Sequence, residues 1–172
     1  MIVDMQKDFC YENGALYVPN SKKIIPSIKR LLEEAKAKKV PVIFTQDWHK
    51  PDDAEFAVWR KHCVENTEGA EIIDELRTDA FTVKKRKYTA FFGTDLDIYL
   101  REHGIRNLII TGVVTNICIM HTASDAVLHG YSVIVPKDCV AALSEYEQEY
   151  GLKHIAFSLK GKIVESESIR FD

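Results

Sequence analysis

Short apolar runs alternate with amphipathic stretches along the chain. The runs are rich in β-branched residues, and turn or polar residues bound them on both sides. They lie at residues 41–46, 80–84, 106–111, 131–136 and 162–165. The apolar pair Ile2 and Val3 predicts the end of one more short strand. Apolar runs this brief are typical of strands buried on both faces of a sheet, so we predict six such strands.

The stretches between the strands have the helical period. Helices are predicted over residues 22–38, 94–103, 116–129 and 144–158. Thr94 and Ser144 each place a hydroxyl where it can cap a helix N-terminus, and Gly104 and Gly130 each follow a predicted helix end. Strands that alternate with helices imply right-handed crossovers and a mostly parallel sheet.

The predicted fold class is therefore α/β, a doubly wound three-layer sandwich around a mostly parallel six-stranded sheet. A length of 172 residues fits a single domain over residues 1–172, because one core usually serves about 100 to 200 residues. Ligands of such sheets bind outside the carboxyl ends of the strands, at the point where the strand order reverses. Polar residues that directly follow these strands are therefore the candidate site residues.

The composition of the chain argues against several classes of binding partner and cellular location. With 23 Lys and Arg against 26 Asp and Glu, the chain has no basic excess to neutralise phosphates, so no nucleic-acid partner is expected. No apolar run approaches the ~18 residues of a membrane span, and no secretory pattern opens the chain, so we expect a cytoplasmic protein without membrane contact. The four cysteines have no regular spacing, which predicts free thiols.

Cys118 is the candidate nucleophile. It lies two or three residues into the helix that follows the run 106–111, and Thr115 or Asn116 is expected to cap that helix. The amides and dipole of a helix N-terminus favour a thiolate and lower the pKa of the thiol. The same amides can stabilise the oxyanion of acyl transfer. The alternative is a buried cysteine that only fills the core.

Asp4 follows the first strand and faces the same crevice as a lysine. A carboxylate between a thiol and a lysine can take the thiol proton and later return it to a leaving amine. The alternating side-chain directions of a strand put either Lys84 or Lys85 into the site, and the pattern does not decide between them. The alternatives are an Asp that only binds turn amides and a solvated basic run.

Asp47 and His49 are two residues apart on an extended segment, so their side chains point to one side. His62 can complete a set of one carboxylate and two imidazoles, which suits zinc, manganese or iron and leaves open positions. Cys63 is a softer alternative ligand, although adjacent residues of an extended segment point to opposite faces. The plain alternative is a polar loop without a metal.

Aromatic side chains lie in the same crevice segments. Trp48, Trp59 and Tyr88 can stack on a flat ring, although such residues also fill cores. The candidate substrate-binding residues are Phe9, Trp59 and Tyr88. The chain has no GxGxxG, GxxxxGK[ST] or GxSxG motif, which argues against a dinucleotide-binding protein, a nucleoside triphosphatase and a serine hydrolase.

Five segments together resemble the isochorismatase-like cysteine hydrolases, and within them the nicotinamidases. The segments are IVDMQKDF at 2–9, DWH at 47–49, WRKHCVENTEGAEI at 59–72, KRKYTAFFGTDL at 85–96 and GVVTNICIMHTASDA at 112–126. The resemblance implies catalytic roles for Asp4, Lys85 and Cys118. It selects Lys85 because the family lysine stands three residues before the aromatic residue, here Tyr88.

The resemblance also implies the rest of the site. The metal ligands fall on Asp47, His49 and His62, and the oxyanion amides on Val114 and Cys118. A cis peptide bond is expected between Val113 and Val114. The ion would be zinc in the first place, with manganese or iron as alternatives.

The implied activity is hydrolysis of a small-molecule amide through a thioacyl enzyme, with nicotinamide as the leading substrate. The implied assembly is a homo-oligomer, a dimer or a tetramer. Two segments depart from the nicotinamidase pattern: residues 51–56 replace a His-x-Ser-Phe segment, and Trp59-Arg60 replaces Trp-Pro. Relatives that act on N-carbamoyl or ureido compounds are one alternative, but they generally lack the metal triad. An isochorismate-type or non-enzymatic binding protein on the same fold is the other.

Overall fold

Two parallel sheets form the centre of the computed structural model, which describes residues 1–171. The strands are β1 Ile2–Val3, β2 Ile43–Asp47, β3 Phe81–Lys85, β4 Asn107–Ile109, β5 Thr111–Val113, β6 Ser132–Pro136, β7 Val140–Ala141 and β8 Lys162–Val164. The larger sheet has the order β3-β2-β1-β5-β7, and the smaller sheet has the order β4-β6-β8. All the ladders between these strands are parallel.

The division of the strands differs from the predicted single sheet of six. The run 106–111 contains β4 and only the first residue of β5, and the buried Ile110 separates the two strands. The amide of Ile110 donates to the carbonyl of Ile134, and the amide of Thr111 donates to the carbonyl of Met1, 3.0 Å away. Adjacent residues of one extended segment therefore bond to different neighbours. The strand β7 was not predicted, since two residues give no periodic signal.

The helices are α1 Lys7–Cys10, α2 Ser21–Ala37, α3 Leu96–Glu102, α4 Met120–Leu128 and α5 Glu145–Ser158, and a π-helical turn, Thr115–Ile119, leads into α4. Four of these correspond to the predicted helices, and α1 was missed because a single turn has too few residues to show a period. Ser144 caps α5 as predicted, since its hydroxyl accepts a hydrogen bond from the amide of Glu147. Thr94 accepts one from the amide of Leu96, but Asp95 is the residue at the start of α3.

Helices cover both faces of the sheets. One hydrophobic cluster joins α1 and α2 to the sheet through residues such as Phe9, Ile28 and Phe44. A second cluster joins α3, α4 and α5 through residues such as Leu100 and Ile155. The predicted α/β doubly wound class is thus confirmed. Within residues 1–171, no helix is both long enough and apolar enough to cross a membrane.

The strand order reverses at β1, which lies between β2 and β5. The approach of β5 to β1 depends on Gly112, whose φ is +113° and whose added Cβ would lie 2.0 Å from the carbonyl oxygen of Val3. Only a residue without a side chain fits there. A crevice therefore lies outside the carboxyl ends of these strands, which is the usual ligand position of such folds.

Candidate active site

Asp4, Lys85 and Cys118 meet at the carboxyl ends of β1, β3 and β5, and all three are buried. The Nζ of Lys85 lies 2.8 Å from Oδ2 of Asp4 and 3.6 Å from Sγ of Cys118. Lys84 points away, and its ammonium lies 3.7 Å from the centroid of the Trp48 ring. Of the two adjacent lysines, Lys85 is the one that contacts the carboxylate and the thiol.

Asp4 is held by the neighbouring strand β2. Its backbone turns out of β1 with a φ of +51°, and its amide donates to the carbonyl of Thr45. The Thr45 hydroxyl donates to Oδ1 of Asp4 at 2.5 Å, so the other oxygen, Oδ2, is the one that contacts Lys85. Burial raises the pKa of Asp4, the ammonium of Lys85 opposes that rise, and the charge of Asp47 adds to it.

Lys85 bridges two carboxylates. Its Nζ lies 2.5 Å from Oδ1 of Asp47 as well as contacting Asp4. Burial disfavours the ammonium, but the two carboxylates outweigh that effect and hold the pKa of Lys85 well above its ordinary range. Burial likewise disfavours the charged form of Asp47, yet the ammonium of Lys85 and the nearby imidazoles of His49 and His62 keep the pKa of Asp47 below its ordinary value.

Cys118 lies in the π-helical turn, but neither predicted cap is present. Val114 is the residue at the N-terminal end of the turn. Thr115 lies inside the turn and donates its hydroxyl to Oε1 of Gln148 at 2.6 Å. The peptide bond between Val113 and Val114 is cis. The expectation that Thr115 or Asn116 caps the turn is therefore wrong.

The expected lowering of the thiol pKa is also wrong. Burial raises the pKa of Cys118 well above its ordinary value, and the ammonium of Lys85 only partly opposes this, while Asp4 and Asp47 raise it further. Two carboxylates and complete burial outweigh one ammonium and a helix terminus. The surroundings of Cys118 therefore favour its neutral thiol over the thiolate. All four cysteines are free and buried.

Asp47, His49 and His62 form a compact cluster. The Nε2 atoms of both histidines lie 3.7 Å from Oδ2 of Asp47, and one donor atom from each residue lies within 4.8 Å of the others. Two ligands on one tetrahedral zinc ion are about 3.3 Å apart, which is close to this separation. All three side chains are buried.

The two imidazole rings are oriented by their other nitrogen atoms. Nδ1 of His49 lies 3.1 Å from Oδ2 of Asp53, and Nδ1 of His62 lies 2.8 Å from the carbonyl oxygen of Arg60. Such partners fix the ring of a metal-binding histidine. The Nε2 atom of His49 is buried and has no hydrogen-bond partner among the described residues 1–171. The cluster fits a divalent cation, since a bound ion would satisfy this atom.

Sequence reasoning missed two acidic residues of this cluster. Asp53 orients His49, and Oε1 of Glu55 lies 3.9 Å from Nε2 of His49. Burial and the nearby charge of Asp47 raise the pKa of Glu55. Both residues belong to the segment 51–56 that departs from the nicotinamidase pattern, and a carboxylate there offers a further oxygen ligand. The departure itself was the signal that could have identified them.

Gln6 holds the backbone of a candidate metal ligand. Its Nε2 donates to the carbonyl oxygens of Asp47 and Ala70, both at 2.9 Å, and its Oε1 accepts from the amide of Asp47 at 2.8 Å. Because the amide side chain bonds both backbone groups of Asp47, it fixes the end of β2. Gln6 is fully buried.

Asp8 holds the loop that carries His62. Its Oδ2 accepts from the amide of Cys63 at 2.7 Å, next to His62 in the chain. A Cβ on Gly69 would lie 2.3 Å from the Asp8 carboxylate, so the loop closes tightly around it. Cys63, the alternative softer ligand, instead directs its sulfur toward the carbonyl of Gly69.

One cavity joins the two clusters. Phe9, Trp59 and Tyr88 line it together with Cys118 and His62. The Nε1 of Trp59 donates to the hydroxyl of Tyr88 at 3.0 Å, which fixes both rings. Further apolar residues that sequence reasoning did not single out also line it: Leu16, Val18, Ile117 and Leu143. An apolar cavity with few polar groups suits a small flat ligand.

Comparison with known proteins identifies the family of this chain. Residues 1–168 match the isochorismatase domain. The nicotinamidase of Escherichia coli (strain K12) is 33% identical over 171 residues, which covers 80% of this chain and 80% of that protein.

Two solved structures are similar over nearly their full length. The pyrazinamidase of Pyrococcus horikoshii, in complex with zinc, is 37% identical with a TM-score of 0.89, and the match covers 95% of this chain and 96% of that one. The N-carbamoylsarcosine amidase of Thermoplasma acidophilum is 30% identical with a TM-score of 0.90, covering 99% and 96%. This chain therefore belongs to the isochorismatase family of hydrolases.

Proposed function

We propose that this protein hydrolyses nicotinamide to nicotinate and ammonia through a thioester on Cys118. One observation carries the proposal: Cys118 and two residues of the metal cluster, Asp47 and His62, line the same apolar cavity. A flat ring bound by its nitrogen at the cluster would direct its carboxamide toward the thiol. The relationship to a nicotinamidase and to a zinc-containing pyrazinamidase supports the same substrate class.

The first half of the reaction forms the thioester. Asp4 takes the proton of the Cys118 thiol as the sulfur attacks the carboxamide carbon, which gives a tetrahedral oxyanion. Collapse of this intermediate breaks the carbon–nitrogen bond, and Asp4 returns the proton to the leaving nitrogen, which departs as ammonia. Because the surroundings of Cys118 favour the neutral thiol, proton transfer and attack are expected to occur together.

The second half releases the acid. Asp4 takes a proton from a water molecule, whose oxygen attacks the thioester carbon. Collapse expels the Cys118 thiolate, which regains the proton from Asp4, and nicotinic acid leaves and loses its remaining proton to solvent as nicotinate. Lys85 keeps Asp4 in place through the 2.8 Å contact and offsets the negative charge that develops on the sulfur. The amides of Val114 and Cys118 are the proposed donors to the oxyanion.

Asp47, His49 and His62 would hold the divalent ion, with Glu55 as a further oxygen donor, and we propose zinc. When bound, the ion would supply a Lewis-acid position for the ring nitrogen of the substrate. His49 and His62 are oriented for this role by Asp53 and the Arg60 carbonyl. Phe9, Trp59 and Tyr88 would contact the ring itself.

Replacement of the nucleophile tests the covalent route. We expect Cys118→Ala to lower ammonia release from nicotinamide by ~10⁴-fold or more, as in other nucleophile-and-base sites. Cys139→Ala is the matched control, because Cys139 is also buried but belongs to the cluster beneath α2. Ammonia release that survives Cys118→Ala would contradict the covalent route, and wild-type protein without any amidase activity would favour a binding protein.

The structural similarity to an N-carbamoylsarcosine amidase gives the second candidate, hydrolysis of a carbamoyl amine. Such substrates have no ring nitrogen for the ion. We therefore expect the wild-type protein to bind metal stoichiometrically. A chelator and the substitution His49→Ala are each expected to abolish the hydrolysis of nicotinamide and pyrazinamide. Activity on carbamoyl amines that exceeds nicotinamide hydrolysis and is indifferent to chelator would assign the site to the second substrate class.

A further inference from the structure

The ammonium of Lys85 lies at the centre of a group of buried oxygen and sulfur atoms. Its Nζ lies 2.8 Å from Oδ2 of Asp4, 2.5 Å from Oδ1 of Asp47 and 3.6 Å from Sγ of Cys118. The same Nζ donates a hydrogen bond to the carbonyl oxygen of Lys87 at 3.1 Å. These four atoms converge on one point and form a cation position, and its occupant in this structure is an ammonium.

The same atoms are suited to a divalent metal ion. Asp4, Asp47 and Cys118 each offer one ligand atom, these atoms lie within 4.8 Å of one another, and all three side chains are buried. Among residues 1–171, Oδ2 of Asp4 has no hydrogen-bond partner, and its ion pair with Lys85 compensates for this. Two carboxylate oxygens and a thiolate suit an ion such as zinc or cadmium. The ammonium therefore occupies a position whose ligands would also accept a metal.

Asp47 connects this position to the candidate metal cluster. Its Oδ2 faces the Nε2 atoms of His49 and His62, each 3.7 Å away, while its Oδ1 faces Lys85. Two-metal centres hold their ions about 3.5–4 Å apart, and a carboxylate whose two oxygens face two cations suits that separation. The site therefore has the arrangement of a two-metal centre in which a lysine takes the place of one ion.

We propose that Lys85 blocks a second metal position, formed by Asp4, Asp47 and Cys118, and so keeps thiophilic divalent ions away from the nucleophile. The inference rests on the proposed function in one respect, the first ion in the candidate metal cluster. An ion in the second position would bond to the sulfur of Cys118, and the thiol proton would pass to solvent. The coordinated sulfur would no longer be a free nucleophile.

The covalent attachment of the ammonium gives it an advantage over a free ion. A group held on the chain has an effective concentration on the order of millimolar, well above a micromolar concentration of free ion. The ammonium also leaves the thiol protonated, whereas a metal ion binds a cysteine as the thiolate and must displace the proton. Lys85 can therefore exclude an ion even though the ion carries twice its charge.

The number of metal ions per chain tests the proposal. After equilibration with micromolar Cd²⁺ and removal of the unbound ion, we expect the wild type to retain one ion and Lys85→Ala to retain two. Lys85→Leu, which replaces more of the lost volume, should also retain two and is the second variant if Lys85→Ala does not fold. Lys84→Ala is the matched control and should retain one, because the Lys84 ammonium lies 3.7 Å from the centroid of the Trp48 ring instead.

Absorbance identifies the ligand of the second ion. Cadmium bound to a thiolate gives a charge-transfer band in the ultraviolet, so Lys85→Ala with Cd²⁺ should show a band that the wild type lacks. The double variant Lys85→Ala, Cys118→Ala should lose this band and retain one ion. Neither readout depends on amide hydrolysis.

The outcomes separate this proposal from the proposed function. If Lys85→Ala and Lys85→Leu retain no more cadmium than the wild type, or if their additional ion gives no thiolate band, the second metal position is refuted while the proposed function stands. If the wild type retains no ion and both variants retain one with the thiolate band, the second position is supported and the metal part of the proposed function is refuted.

Discussion

Thr45 controls Asp4 through a single buried hydroxyl, 2.5 Å from Oδ1 of the carboxylate. Valine has nearly the same shape but no hydroxyl, so Thr45→Val would leave a buried carboxylate oxygen without its donor, at a cost of about 1–3 kcal/mol. The pKa of Asp4, already raised by burial, would rise further because this hydrogen bond lowers it. We expect kcat to fall about 5- to 100-fold, with little change in KM.

The pH profile of Thr45→Val distinguishes this role from a general loss of stability. Asp4 accepts a proton only when it is ionised, so a higher pKa moves the acidic limb of the kcat profile to higher pH. Steady-state rates of ammonia release across the pH range measure this shift. Thr45→Ser restores the hydroxyl and should restore the wild-type profile, whereas an unchanged profile in Thr45→Val would show that Thr45 does not position Asp4.

The placement of a site residue was predictable from the sequence where the local chain geometry determines the direction of its side chain. Asp47 and His49 share a side because they are two apart on an extended segment, and Asp4 follows a strand end. The pKa of Cys118 was not predictable in this way, because it depends on two carboxylates and an ammonium from distant parts of the chain. Glu55 likewise comes close to His49 only through the fold of its loop.

At the scale of elements, Gln6 joins β2 to the loop that follows His62. Gln6→Leu removes three hydrogen bonds and leaves buried backbone groups of Asp47 unpaired, each at about 1–3 kcal/mol. We expect a markedly lower free energy of unfolding and weaker metal binding, measured by urea titration and metal analysis. Gln46→Leu is the matched control.

Gln46 also donates to the carbonyl of Ala70 but does not bond Asp47. Gln46→Leu should therefore cost less stability and leave metal affinity nearly unchanged. Equal metal affinities in the two variants would show that the backbone of Asp47 does not need Gln6.

The contact between β1 and β5 depends on Gly112. Gly112→Ala would place a Cβ 2.0 Å from the Val3 carbonyl, a rigid backbone atom, in addition to the strain of a positive φ. We expect a loss of more than about 4 kcal/mol or failure to fold, as for severe overpacking with backbone strain. Gly93→Ala shares the positive φ but meets nothing within 4 Å, so it should cost only about 1 kcal/mol. Similar thermal midpoints for the two variants would refute this explanation.

Elements with several periodic turns were predictable, and shorter ones were not. The helix α2 differs from its predicted range by one residue at each end, because its apolar positions repeat over many turns. The four residues of α1 contain too little pattern, and the break at Ile110 depends on which strands lie beside it. Pairing partners, rather than composition, decide where such elements begin and end.

At the scale of the whole molecule, Asp138 ties the end of the described chain to the rest. Its carboxylate accepts from the amide and the hydroxyl of Ser166, and Arg30 of α2 donates to the same hydroxyl at 2.8 Å. Burial would raise the pKa of Asp138, but the hydrogen bonds from Ser166 hold it below its ordinary value of 3.8. The ionised carboxylate therefore stabilises the fold fully at pH values above 3.8. This contribution disappears as the pH falls through the lower pKa of the folded state.

We expect Asp138→Asn to lower the free energy of unfolding at neutral pH by about 1–3 kcal/mol, since charged hydrogen bonds are lost. The difference from the wild type should shrink as the pH is lowered below 3.8. Urea titrations at neutral and acidic pH measure both effects. Glu165→Gln is the control, because its exposed pair with Lys137 should contribute less than about 1 kcal/mol. A pH-independent difference for Asp138→Asn would contradict this prediction.

The position of β1 between β2 and β5 also determines when the site can form during folding. Asp4 meets Thr45 across 41 positions of the chain, and Met1 meets Thr111 across 110. Closing such long loops before any contact forms makes folding slow, and a sheet of parallel strands depends entirely on them. A partly folded chain can contain β2, β3 and α2 before the thiol of Cys118 and the carboxylate of Asp4 come together. After dilution from denaturant, recovery of amidase activity should therefore lag behind recovery of the helical circular dichroism signal. The later phase would report the docking of β1 between β2 and β5.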